Sequence, residues 1–123
     1  AYQGIARWHQ RLKDYPPKEG RTLTGRRFPI SKEPSLPELS NSPVQGTAAD
    51  ILKRALGVLA GKTDDSRRIL AVVHDEIIME CRQADAEATA RLLKETMEQA
   101  GADILPDVPC TAEASTGPNW AEK

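Results

Sequence analysis

Apolar residues recur along this chain with two periods, and each period marks a type of element. Near the start, Ile5, Trp8, His9, Leu12 and Tyr15 fall at helical spacing, and Pro16-Pro17 ends that helix. A packed helix face accounts for Trp8 and His9 better than any direct role does. A second helix runs from Val44 to Ala60, with Ala48, Ile51, Leu52, Ala55 and Leu59 on one stripe and Asp50, Lys53 and Arg54 elsewhere. Gly61 caps it, and Asp64-Asp65-Ser66 form a polar turn. A third helix runs from Asp85 to Gln99, with Asp85 as N-cap, Gly101 as terminator and Thr89, Leu93, Thr96, Met97 and Ala100 buried. Between these two helices lie Ile69-Leu70-Ala71-Val72-Val73 and Ile77-Ile78, apolar runs rich in Val and Ile that read as paired, buried strands. From Val108 to Ser115, Val108, Cys110, Ala112 and Ala114 alternate with polar neighbours, which predicts a strand added to that hairpin. Trp120 is expected to tuck the tail down.

Two stretches lack a clear period. Arg21-Thr22-Leu23-Thr24-Gly25-Arg26-Arg27-Phe28 reads as a β-ribbon turning near Gly25. From Pro29 to Pro43 the four prolines Pro29, Pro34, Pro37 and Pro43, interspersed with serines, predict a loop with at most a helical turn around Leu36 to Leu39. Gly46, Thr47, Ala48 and Ala49 are small enough for another backbone to approach closely. The fold class that follows is α+β: an antiparallel sheet of the hairpin plus the C-terminal strand, backed by two helices, with an N-terminal helix and a basic ribbon.

At 123 residues the chain is expected to be one domain with a modest core. An apolar content of 39% and a mean hydropathy of −0.52 suit a limited interior. No run approaches the roughly 18 apolar residues of a membrane span, and no signal peptide is expected, since no charged-then-apolar stretch opens the sequence. Cys81 and Cys110 are too few for a zinc site or a disulfide framework, so a reduced, cytoplasmic setting is expected. The net charge of −1 hides an asymmetry. Residues 1–62 hold eleven Lys or Arg against five Asp or Glu, and residues 63–123 hold six against thirteen. A basic half suits phosphate contact and an acidic half metal binding, though solvated faces produce similar blocks.

The candidate chemistry sits at the predicted hairpin tip. His74, Asp75 and Glu76 would be pushed together there, two carboxylates and an imidazole at one edge of an apolar sheet. Such a tip could hold a divalent metal, but polar residues at a turn are also ordinary turn chemistry. Gly61-Lys62-Thr63 is no phosphate loop: Leu56 stands where that pattern needs Gly, and a helix precedes it where a strand should. Asn41 and Gln45 carry amides that both donate and accept, which suits the nearly sequence-independent acceptors of the minor groove. Arg26 and Arg27 on the ribbon could lie along a phosphate backbone, or the ribbon could be a solvated basic hairpin.

Two segments, Asn41-Ser42-Pro43-Val44-Gln45-Gly46-Thr47-Ala48-Ala49-Asp50-Ile51-Leu52-Lys53 and Val73-His74-Asp75-Glu76, resemble the C-terminal part of the palm in family A DNA polymerases, the second being similar to that family's motif C. The resemblance implies a partial polymerase domain, with residues 1–40 as the end of the fingers and the basic ribbon and residues 41–123 as the C-terminal half of the palm. It implies template-directed nucleotidyl transfer in replication or repair, with two Mg²⁺ ions (Mn²⁺ as a substitute) at the primer end. One ion would activate the primer 3′-hydroxyl and the other stabilise the leaving pyrophosphate. Asp75 is then a catalytic metal ligand, Glu76 an auxiliary catalytic carboxylate, and His74 a contact to the primer strand. Asn41 and Gln45 become DNA-binding residues at the minor groove, and Arg26 and Arg27 lie near the primer. The partners implied are primer-template DNA and deoxynucleoside triphosphates, with no membrane, in a cytoplasm of bacterial or phage type.

The chain departs from the family in two ways. Leu36 and Pro37 stand where the family shows Glu-Arg, so one DNA-contacting Arg is missing. The first metal-binding Asp, the fingers helix that grips the nucleotide, and the thumb are absent too, so a further polypeptide is expected to supply them and the chain alone is expected not to extend primers. Three readings remain beside this one: a DNA-binding remnant without catalysis, an unrelated metal-dependent hydrolase, and an interaction domain with no active site.

Overall fold

The computed structural model describes residues 2–121, which pack as two compact units, one ending at Asp50 and the other beginning at Ile51. In chain order the elements are α1 (Gln3–Asp14), β1 (Gly20–Arg21), β2 (Arg27–Phe28), α2 (Leu36–Ala60), β3 (Arg67–Val73), β4 (Glu76–Cys81) and α3 (Ala86–Ile104), with a short 3₁₀ turn at Gln83–Asp85 before α3. The architecture is α+β with two small antiparallel sheets, β1–β2 and β3–β4. No described helix is long and apolar enough to cross a membrane.

In the first unit, α1 half-buries Trp8, His9 and Leu12 but buries none of its residues fully. The ribbon pairs Gly20 with Phe28 and Arg21 with Arg27. Gly20 lies so close under the Phe28 ring that a Cβ there would sit 1.9 Å from it. The turn needs Gly25, whose φ of +86° is open to few other residues.

The segment expected as a loop after Pro34 is instead the start of α2. Ser35 accepts a hydrogen bond from the Glu38 amide (3.3 Å), the first half of a capping box, and Pro37 falls in the first turn, where a missing N–H costs little. Pro43 lies inside the helix and removes one backbone donor. Hydroxyls on either side of it bond to carbonyls a turn earlier, Ser40 to Leu36 (2.8 Å) and Thr47 to Pro43 (2.7 Å).

The second unit is built around Ala55, Leu59, Ile77 and Ala100, with Ile51, Leu52, Leu56, Ile69, Met79, Leu92, Leu93 and Met97 packed against them. The stripe of α2 therefore begins at Ile51, and Ala48 is exposed. In α3, Thr89, Thr96 and Ala100 are buried as expected, but the helix continues through Gly101 to Ile104. Gly101 does not end the helix; it makes room for the tail, since a Cβ there would meet Cys110 at 2.4 Å.

The strand expected at 108–115 does not form. Pro106 and Pro109 carry no N–H for a ladder, and the Ala112 amide is spent on the Glu98 side chain (3.1 Å). The sheet of this unit is the two-stranded hairpin alone among the described residues.

Among the described residues, Leu59 is the largest side chain with no exposure. Leu59→Ala should lower unfolding free energy by about 2–5 kcal/mol. Urea denaturation should show the midpoint falling with the slope unchanged. A loss well under 1 kcal/mol would mean this core does not hold the unit together.

Candidate functional site

The hairpin tip is as short as such a connection can be. Val73 pairs with Glu76, so only His74 and Asp75 link the strands. His74 takes a φ of +56°, the only positive φ among described residues other than glycine. His, Asn and Asp enter this region more readily than most side chains, yet it still carries strain of order 1–3 kcal/mol. Glycine would turn the corner without strain, so the imidazole stands where the backbone does not favour it.

Both His74 and Asp75 are exposed, and Glu76 is half-buried. The indole N–H of Trp120 donates to Glu76 Oε2 at 3.2 Å, which is where the tail tucks down. His74, Asp75 and Glu76 are thus together at one tip, as expected from their adjacency. Among the described residues, no group of three or more His, Cys, Asp or Glu side chains gathers closely enough to hold a metal ion. Mg²⁺ keeps near-octahedral oxygen geometry. Asp75 and Glu76 therefore fit such an ion as part of a ligand set and do not fit it alone.

The remaining candidates belong to the first unit. Asn41 and Gln45 lie one turn apart on α2, so both exposed amides share a side of the helix. Arg27 is 69% exposed at its side chain and lies 3.8 Å from Glu19. Arg26 is engaged instead: its Nε donates to Asp50 Oδ1 (2.6 Å) and its Nη2 to the Gly46 carbonyl (3.0 Å).

That contact is part of a lock between ribbon and helix. The Thr24 hydroxyl donates to Asp50 Oδ2 (2.6 Å), and the Leu23 amide donates to the Thr47 hydroxyl (3.1 Å). A Cβ at Gly46 would stand 2.7 Å from the Thr22 methyl, so Gly46 admits the ribbon. Hydrogen bonds from Thr24 first, then from Thr22 and Arg26, hold the Asp50 carboxyl down at about 2. Neither Asp50 nor the threonines stood out in the sequence, because the contacts span about two dozen positions and follow no period.

A family model described as DNA polymerase family A matches residues 1–122. The chain belongs to DNA polymerase family A. Among its relatives, DNA polymerase I of Aquifex aeolicus is 33% identical over 128 residues, 98% of this chain and 22% of that protein. DNA polymerase I of Deinococcus radiodurans is 37% identical over 131 residues, 97% of this chain and 13% of that protein. The solved POL domain of Pol1 from M. smegmatis, in complex with DNA primer-template and dNTP, matches with a TM-score of 0.57 and 27% identity, covering 80% of this chain and 20% of that one. The chain thus spans about a fifth or less of these family A relatives. The resemblance carried by the Asn41–Lys53 and Val73–Glu76 segments extends over nearly the whole chain.

Because the Asp50 pKa is depressed when the lock is formed, its contribution is full above the ordinary value of 3.8 and disappears as pH falls toward about 2. The Leu23 and Arg26 amide resonances should therefore shift together between about pH 4 and 2. In Asp50→Asn they should already be displaced at pH 7 and stay flat across that window. A wild-type-like ribbon in Asp50→Asn would show that the lock does not depend on the charge.

Proposed function

We propose that this chain is the C-terminal palm portion of a template-directed DNA polymerase, active in nucleotidyl transfer only with a polypeptide that supplies the fingers, the thumb and the other metal-binding aspartate. The observation that carries this reading is the hairpin tip, where a strained two-residue turn presents an exposed Asp75 carboxylate in a chain whose residues 1–122 match family A. Asp75 contributes one carboxylate to a divalent ion, Mg²⁺ or Mn²⁺, which would supply Lewis-acid stabilisation of phosphoryl charge when bound.

The chain's own residues then bind and orient DNA. Asn41 and Gln45 present donor and acceptor groups to minor-groove edges, which lets them follow base-pair shape without sequence preference. Arg27 offers its guanidinium to a backbone phosphate, while Arg26 divides its own between Asp50 and Gly46 and so fixes the ribbon that carries Arg27. His74 lies against the primer strand, and Glu76 supports Asp75. Primer-template DNA and deoxynucleoside triphosphates are the partners of the completed enzyme.

A second reading is a DNA-binding remnant without catalysis, favoured by the incomplete metal ligand set among the described residues. Primer extension separates the two. The chain alone should extend nothing. Mixed with the polypeptide encoded immediately upstream, it should extend primers with Mg²⁺, and Asp75→Asn should lower the rate by about a hundredfold or more, a loss of several kcal/mol of charge stabilisation. A folded mixture that binds primer-template without extending it would leave the remnant reading.

DNA binding has its own signature. Arg27→Ala should weaken primer-template affinity for every sequence alike and reduce the log-log salt slope by about 0.9. An unchanged slope would remove Arg27 from the phosphate contacts.

A further inference from the structure

The tail after α3 has no regular structure among the described residues, yet it is fastened along its length. Cys110 fills the gap left by Gly101, the Ala112 amide donates to Glu98 on α3, and the Trp120 indole donates to Glu76 at the hairpin tip. Near its end, the Asn119 side chain accepts from the Ala121 amide (3.0 Å), closing a local turn just after Gly117-Pro118. Forty-four residues separate the two ends of the Trp120–Glu76 bond, so it is a tertiary tether. It ends on the carboxylate next to Asp75.

We propose that the tail is a strap and that Trp120 is a positioning residue, holding the Glu76 carboxylate in one orientation so that it acts with Asp75 on the divalent cation. The inference rests on the polymerase reading above for what the tip does, but not for the contact itself. A free glutamate samples several rotamers, and a bond from the indole N–H to one of its oxygens favours the rotamer that makes it. Trp suits the task because its N–H donates and cannot accept, so it engages a carboxylate oxygen without competing for the cation. Partners that orient a metal-site carboxylate typically affect cation affinity or activity by about 10–100-fold.

The contact is tested on the chain alone. With Trp8→Phe, Trp120 is the sole tryptophan, and adding Glu76→Ala should shift its emission and raise its quenching by acrylamide. No change on removing Glu76 would overturn the strap, whatever the chain catalyses. The consequence is tested in primer extension with the upstream polypeptide, as a function of Mg²⁺. Trp120→Phe, which keeps the ring and loses the N–H, should raise the half-saturating Mg²⁺ concentration by about tenfold while leaving the nucleotide KM unchanged. In a Glu76→Ala background it should have no further effect. A rate lowered equally at every Mg²⁺ concentration, or effects of the two substitutions that simply add, would make Trp120 structural and overturn the positioning role. Fluorescence coupling without extension from any variant would overturn the polymerase reading, and with it the strap's catalytic purpose, while the contact stands.

Discussion

Only two residues join β3 to β4, and the side chains buried beneath them constrain which two. Ile77 is buried and Met79 packs on the same core, which fixes the face that β4 turns inward. A slip by a single residue would turn both out to solvent and bring Ile78 and Glu76 inward. With Val73 and Glu76 paired, the turn falls on His74 and Asp75, and one of them has to reverse its backbone. The polar tip is therefore a product of the apolar core beneath it. What holds Leu59 and Ala100 against Ile77 also decides where a carboxylate meets water.

The two units solve the problem of order differently. The second has a conventional interior, small but continuous, of aliphatic residues from α2, the hairpin and α3. The first buries Leu39 as its one buried large aliphatic among the described residues, alongside buried Thr22, Ser40 and Thr47. Its ribbon is held by hydroxyls, one carboxylate and a guanidinium. Such a network has directional geometry, so it fixes where the ribbon lies on α2 more sharply than an oily contact of equal size would. It is also sensitive to anything that alters charge at Asp50.

Elements whose signal is local were legible in the sequence. The hairpin, the ribbon turn at Gly25 and the buried face of α3 all follow from period or from one residue's backbone freedom. The candidate site was legible for the same reason, since His74, Asp75 and Glu76 are neighbours in the chain. Where the reading failed, a local rule met a compensation further away. Four prolines argued against helix between Pro29 and Pro43, but Ser35 with Glu38 supplies a cap, and Ser40 and Thr47 add side-chain bonds around Pro43. The alternation at 108–115 suggested a strand, but a ladder needs donors, and here Pro109 has none while Ala112 gives its own to Glu98. The lock on Asp50 and the arrival of Trp120 at Glu76 are contacts between distant positions, and no pattern within one segment encodes them.

The backbone at His74 also acts as a filter on what this position can become. Its φ of +56° is comfortable for glycine, tolerable for asparagine, aspartate and histidine, and punishing for branched side chains. Of the residues the turn accepts, histidine alone brings an aromatic ring with a titratable nitrogen. Mutational drift here is thus confined to a short list, and every other member gives up the imidazole to keep the corner. The chain can lose this group in one step, but cannot trade it for a near equivalent.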